Sequence, residues 1–181
     1  MNLTSPFNPK ELSKLTAGTS VFISGIIYSA RDAAHRRIIK ALENREPLPF
    51  ELKGQTIYYM GPSPAPPGKI IGAAGPTTSR RMDTYTPQML AAGVRAFIGK
   101  GSRSPEVRQA LRKYKAVYFA AAGGAGALLS SAVIEAEVIA YEDLGPEAVM
   151  KLTVDNFPAV VANDIHGRDL FEMGRQEYKR E

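Results

Sequence analysis

The chain has no cysteine and no tryptophan among its 181 residues, and only two histidines. Without cysteine it has no disulfide framework, no thiol nucleophile, and no zinc or iron–sulfur site built on its own thiolates. Any cluster must come from elsewhere. Charge of one sign is not in large excess either: 23 Lys and Arg against 18 Asp and Glu give a formal net charge of +5. That balance suits an anionic ligand without demanding nucleic acid. Hydrophobic residues make up 44% and charged residues 23%, which argues against disorder, collagen-like repetition and coiled coil. No internal repeat or low-complexity run is present. The expectation is one soluble globular domain over residues 1–181, with its core at about 15–171.

Long hydrophobic runs are also scarce. The stretch Ala116 to Ile134 has 19 residues without a charge, near the ~20 that a membrane helix needs. It is mainly Ala, Gly and Ser, which gain little from lipid, so it reads as a buried strand, a glycine turn and a core helix. The first ten residues lack a basic segment followed by an apolar run, so they do not read as a secretory signal and a cytoplasmic location is expected.

What is present alternates between strand-like and helix-like composition, the pattern of an α/β domain. Ser20–Tyr28 is rich in β-branched and aromatic residues and reads as a strand. From Ala30 to about Asn44, Arg31, Ala34, His35, Ile38, Ala41 and Leu42 recur at spacings of three and four, which predicts a helix with Arg31 and His35 one turn apart. Thr56–Met60 and Lys69–Ala74 read as short strands around a proline-rich rigid loop. Thr86-Pro87 reads as a helix cap and first-turn proline with Gly93 as the stop, and Ser104-Pro105 opens a second helix through Tyr114. Arg95–Ile98 and Ala116–Ala122 read as strands, Leu128–Ile134 as a helix and Val138–Tyr141 as a strand. Met150–Val154 and Ala159–Ala162 read as separate strands ending in a turn at Asp164–Gly167. The charged last ten residues are expected to fray.

The segment most suggestive of chemistry is Gly75-Pro-Thr-Thr-Ser-Arg-Arg-Met-Asp83. It offers three hydroxyls (Thr77, Thr78, Ser79) and two guanidiniums (Arg80, Arg81) within five positions, the donors that a carboxylate accepts. Adjacent arginines repel unless an anion or Asp83 intervenes. The plain alternative is a solvated basic turn. Arg31 lies at a predicted helix N-terminus, where the dipole disfavours a cation by a few tenths to ~1 kcal/mol. Asp32 can compensate it, and an anionic ligand would profit from guanidinium and helix N–H groups together. Lys100, between two glycines after a strand, is a further anion contact. His35 is either structural or a support for Arg31; His166, in a turn, has no assigned role. Gly123-Gly-Ala-Gly126 mimics a dinucleotide fingerprint, with Glu142 or Asp143 at the ribose-binding distance. However, Leu129 stands where the third small residue is required.

These motifs resemble the β subunit, equivalently the C-terminal domain, of class I iron–sulfur fumarate hydratases and L(+)-tartrate dehydratases. The resemblance rests on Ser24-Gly-Ile-Ile-Tyr-Ser-Ala-Arg-Asp-Ala-Ala-His35, Gly75–Asp83, Ile98-Gly-Lys-Gly101, Tyr141-Glu-Asp-Leu-Gly145 and Asp155-Asn-Phe-Pro-Ala159, and spans roughly Leu15 to Phe171. It implies a swivelling β/β/α domain and a hydro-lyase acting on fumarate and malate or, alternatively, on tartrate. A [4Fe–4S] cluster would be held by a cysteine-containing α subunit, in a heteromer expected to be α2β2. Carried over by motif, Arg31, Arg81 and Lys100 bind the substrate carboxylates and Thr77 is the catalytic residue facing the carbon that exchanges a proton. His35, Thr78 and Asp83 are supporting residues, and no metal ligand is assigned to this chain. A threonine hydroxyl is a poor base alone, so Thr77 needs a partner carboxylate or acts by positioning. On this reading the isolated chain is inactive and exposes an apolar patch for its partner. The rival reading is a non-catalytic anion-binding module.

Overall fold

Alternate residues of three short apolar segments feed two different cores, so these segments settle as strands covered on both faces. In the computed structural model, which describes residues 1–179, they are β3 (Thr56–Tyr58), β4 (Ala96–Gly99) and β5 (Val117–Ala120). Tyr58, Ala96, Ile98, Val117 and Phe119 join one buried cluster. Ile57, Phe97 and Tyr118 join the other. The remaining strands are β1 (Asn2–Ser5), β2 (Ser20–Ser29), β6 (Val133–Ala140) and β7 (Val149–Asn163).

β2, β3, β4 and β5 run parallel, while β7 pairs antiparallel with both β5 and β2 and so closes a five-stranded barrel. The second edges of the two long strands carry the extra ones. β1 pairs with β2 through Ser5↔Gly25 ahead of β3, and β6 pairs with β7 through Val133↔Val154 beyond β5. Among the described residues, closure leaves only β1 and β6 with an open edge.

The second cluster lies under helices α2 (Asp32–Asn44), α3 (Thr86–Ala91) and α4 (Pro105–Tyr114). Ala34 and Ile38 of α2 and Val107 and Leu111 of α4 are fully buried there, each larger side chain contributing about 1.5–3 kcal/mol by leaving water. Ser104 caps α4 by accepting from the Val107 amide, and Pro105 stands in the first turn, as the sequence indicates. α1 (Pro9–Leu12), α5 (Gly126–Ser131) and α6 (Leu170–Tyr178) complete the chain. Among the described residues no helix is long and apolar enough to cross a membrane.

Five local expectations are corrected. Lys69–Ala74 is not a strand: Ala73 bonds back to Ser63 through both its amide and its carbonyl, so this segment closes the proline loop while Ile71 and Ala74 still enter the core. The helix expected over Leu128–Ile134 is α5, ending at Ser131, and β6 already begins at Val133. Met150–Val154 and Ala159–Ala162 are parts of one continuous β7. Its interruption at Asp155–Pro158 is a bulge with Asn156 at φ 51°, stitched by Ser24, whose hydroxyl donates to Asp155 and accepts from the Asn156 amide. The cap of α3 is Tyr85 rather than Thr86, because the Thr86 hydroxyl donates instead to the Met82 carbonyl. The C-terminal segment is helical to Tyr178, with Asp169 accepting from the Phe171 and Glu172 amides; Arg180 and Glu181 lie outside the described residues.

Candidate functional site

Parallel strands all end on one side, so the loops that follow β2, β3, β4 and β5 gather at a single rim, where ligands of open α/β sheets are usually found. Arg31 follows β2, Gly61 follows β3, Lys100 follows β4 and Gly123 follows β5. The Gly75–Asp83 segment crosses this rim. Its Thr77 amide donates to the Tyr59 carbonyl (2.7 Å), the Lys100 amide donates to the Thr77 carbonyl (3.3 Å), and the Ser79 amide donates to the Lys100 carbonyl (2.9 Å). Thr77, Thr78 and Lys100 are therefore tied together by their backbones.

The cations of the rim arrive from three loops. Arg81 pairs with Asp32 through Nη2 to Oδ2 at 2.9 Å and Nε to Oδ1 at 3.0 Å, while Arg31 Nε lies 3.8 Å from the same Oδ2. Asp32 thus joins the two guanidiniums. The counter-ion that Arg31 needs is chiefly another residue, Glu147, at 3.0 Å from Nη2. The second Glu147 oxygen accepts the Ala33 amide at 2.7 Å, so a carboxylate from a distant turn caps α2, which has no side-chain cap of its own. Three cations, Arg31, Arg81 and Lys100, face two carboxylates, which leaves the rim net positive before the exposed Arg80 is counted. The Lys100 side chain extends toward the next loop, its Cδ 3.4 Å from where a Cβ on Gly123 would stand. No hydrogen bond or ion pair links it to Arg31 or Arg81; the connection runs through the backbone of Thr77–Ser79.

The supporting residues divide. His35 is completely buried and does not reach the rim surface. Its Nδ1 donates to the Arg31 carbonyl at 2.9 Å, and its ring packs edge-on against Tyr59 and stacks on Tyr85. Burial lowers its pKa to about 4, against a smaller opposing effect of the Arg31 carbonyl. Asp83 faces inward, both oxygens engaged: Oδ1 accepts from Arg103 Nε at 2.7 Å and Oδ2 from the Ser104 amide at 2.7 Å. Arg80 therefore does not pair with Asp83 and is exposed. Thr78 is exposed. His166 donates its amide to Asp164 Oδ1 within the turn at 2.9 Å, and its ring reaches the distant Ser13 carbonyl at 3.2 Å.

Sequence reasoning missed Arg103 and Glu147. Arg103 is fully buried, with its guanidinium 4.9 Å from the Tyr118 ring centre and 5.2 Å from that of Tyr59. Tyr59, just past the end of β3, and Phe97 and Tyr118 on β4 and β5 all enter the helix-side core; that coincidence was the available signal, and it needs the register to be seen.

The glycine turn before α5 does not build a dinucleotide site. α5 has six residues, β5 and β6 are not neighbours in a parallel pair, and Asp143 is engaged by Arg37. Its Gly126 instead lets two backbones pass closely: a Cβ there would lie 3.0 Å from the Gly75 nitrogen. A cleft of about 760 Å3 between the proline loop and α5, lined by Ser63, Ile70, Ala127 and Ser130 among others, contains none of the rim cations. The rim itself is an open shelf. An apolar groove of about 320 Å3 is lined by Phe22, Ala120, Ala122, Leu128 and Pro158 among others, with Phe22 46% and Leu128 64% exposed.

The donor set does not fit an iron–sulfur cluster. No cysteine exists, and among the described residues no three His, Asp or Glu side chains are grouped to hold a metal ion.

An α/β barrel domain that displays cations on an open shelf at its strand ends is the class defined so far. The chain belongs to the Fumarase C-terminus family, whose model matches residues 1–174. It is 38% identical over 174 residues to the mitochondrial fumarate hydratase 1 of Leishmania major, covering 95% of this chain and 32% of that protein. It is 37% identical over 164 residues to the aerobic class I fumarate hydratase of Escherichia coli, covering 90% of this chain and 30% of that protein. A putative L(+)-tartrate dehydratase subunit beta of Methanocaldococcus jannaschii is 38% identical over 169 residues, covering 90% of this chain and 87% of that subunit. The chain therefore spans about a third of the length of the fumarate hydratases it matches. These relatives are named as fumarate hydratases and as a tartrate dehydratase subunit.

Proposed function

We propose that this chain is the substrate-carboxylate-binding part of a hydro-lyase that interconverts fumarate and malate, and that its active site is completed by a cysteine-containing α subunit carrying a [4Fe–4S] cluster. The observation that carries the proposal is the joining of Arg31 and Arg81 through Asp32 beside a Lys100–Thr77 backbone link, on a rim that this chain leaves open. A guanidinium offers five donors, so Arg31 and Arg81 retain donors for a substrate carboxylate after pairing with Glu147 and Asp32. Removing a C–H proton beside a carboxylate builds charge on that carboxylate, and fixed cations favour the transition state over the ground state. Thr77, bonded through its backbone on both sides, presents its side chain at a fixed place on the rim. It acts there as a base only with a carboxylate from the partner, and otherwise positions the substrate.

The apolar groove of Phe22, Pro158 and Leu128 includes Ala122, the chain neighbour of the Gly123 that Lys100 approaches, and we place the α subunit on it. We place the assembly as a cytoplasmic α2β2 heteromer in which this chain is the swivelling β/β/α unit. L(+)-tartrate is the second candidate substrate, favoured by the match along most of the M. jannaschii beta subunit. Anaerobic co-expression with a cysteine-containing α partner, followed by parallel assays of malate, fumarate and tartrate, tests the reading. A brown complex with hydratase activity is expected. A colourless preparation whose chains do not associate would reject it in favour of a non-catalytic anion-binding module.

A further inference from the structure

Arg103 lies fully buried and paired with Asp83 beneath the segment that carries Arg81. Arg81 sits in the single 3-10 turn Ser79–Met82, with Asp83 as its C-terminal cap. The far end of this turn is gripped by the loop after β4: Arg103 Nε and the Ser104 amide hold the two Asp83 oxygens. The near end is gripped by the same loop: Ser79 donates its amide to the Lys100 carbonyl. Its hydroxyl lies 2.9 Å from Tyr118 Oη, and because that phenol donates to the Gly101 carbonyl at 2.8 Å, the Ser79 hydroxyl is the donor.

Donor and acceptor roles at Arg103 Nε and Nη2 follow in the same way, while its buried Nη1 has no hydrogen-bond partner. The Thr86 hydroxyl gives its proton to the Met82 carbonyl, so it accepts from Arg103 Nη2 at 2.6 Å and from the Tyr59 phenol at 3.1 Å. The Tyr59 oxygen in turn accepts from Arg103 Nη2 at 3.3 Å. One guanidinium thus reaches the cap of the turn directly and its last residue, Met82, through Thr86. Burial alone would lower the Arg103 pKa, and Tyr59, Asp83 and Tyr118 reverse that into a rise, so the group stays charged. Its flat fork is what spans Asp83 and Thr86 together; an ammonium offers no such fork.

We propose that Arg103 is a positioning residue, which holds the Arg81 turn at a fixed place relative to Lys100 and Thr77 without touching substrate. The inference rests on the proposed carboxylate-binding role of Arg81. Arg103→Lys in the α–β complex is expected to raise KM for the dicarboxylate at least tenfold. In a complex already carrying Arg81→Ala the same substitution is expected to change KM less than twofold, since the group it positions is gone. A purely structural role lowers the amount of active complex, and hence apparent kcat, but leaves KM unmoved. An unmoved KM, or equal effects with and without Arg81, overturns the proposal. Asp83→Asn combined with Arg103→Met removes both charges together, restoring packing without the fork; it should fold like the wild type and show the same raised KM.

A second readout separates this proposal from the assignment of activity. If the wild-type complex turns over no dicarboxylate, the functional reading fails, and amide hydrogen exchange of the full chain then decides the positioning role. Arg103→Lys should speed exchange at the Ser79 and Ser104 amides at least tenfold while amides of β4 and β5 keep their rates. Unchanged loop exchange, or uniform acceleration throughout, contradicts it.

Discussion

Two glycine-containing loops follow adjacent parallel strands, and they are built on opposite principles. The loop after β4, Lys100–Ser104, is tied to the 3-10 turn by a buried arginine, a carboxylate, two tyrosines and backbone bonds. The loop after β5 is mostly exposed at Ala122–Gly124 and is held by backbone bonds, such as Ala121 to Gly99 and Ala125 to Ala122. Both sequences suggest phosphate-type or anion-type turns. Only one has a polar network beneath it, and that is the one carrying a rim cation. Fixed placement of charge here comes from a buried hydrogen-bonded network around Arg103 Nε and Nη2 rather than from glycine.

The contrast can be broken most forcefully at Asp83. Asp83→Ala strands the fully buried Arg103 charge and should cost about 3–5 kcal/mol in urea unfolding; a loss below ~1 kcal/mol would mean that the network carries no such weight. Next in size is the pH response of His35, which packs against Tyr59 on the pinned side. Its folded pKa of about 4 lies below its ordinary 6.5, so the unfolded chain binds the extra proton between those values. Stability from this group is complete above about pH 6.5 and is lost as pH falls toward 4, by roughly 3 kcal/mol in total. Thermal melts of His35→Gln should lack that component of the slope.

Glycine substitutions sharpen the comparison further. A Cβ on Gly99 would stand 2.0 Å from Ser79 Oγ and 2.9 Å from the Tyr59 ring, and Gly99→Ala should cost about 1–3 kcal/mol by overpacking. On the other loop, Gly123→Ala meets only the flexible Lys100 Cδ at 3.4 Å and should stay within about 0.5 kcal/mol of the wild type. Equal melting points for the two variants would erase the distinction.

Much of this architecture was legible in the sequence for physical reasons. The apolar runs Thr56–Met60 and Arg95–Ile98, the three-four spacing of Ala34–Leu42 and the Ser104-Pro105 start are local signals, and β3, β4, α2 and α4 stand within a residue or two of where those signals place them. Asp155–Pro158 read as a break because a bulge and a strand end share the same residues, Asn and Pro. Only pairing with β2 across Ser24 shows that the strand continues. At the site, Arg31, Thr77, Arg81 and Lys100 were visible as chemistry-bearing residues, and the structure puts all four on one rim. Their partners were not visible: Glu147 reaches Arg31 across 116 residues of chain and Arg103 reaches Asp83 across 20, separations for which no periodicity gives a signal.

The most direct measurement of the central claim is kcat/KM of the reconstituted α–β complex carrying Arg81→Ala, compared with the wild-type complex on the same dicarboxylate. Loss of a cation that grips the developing charge predicts a fall of about a hundredfold, ~3 kcal/mol of transition-state stabilisation. A value within threefold of the wild type would place Arg81 outside the site and contradict the account.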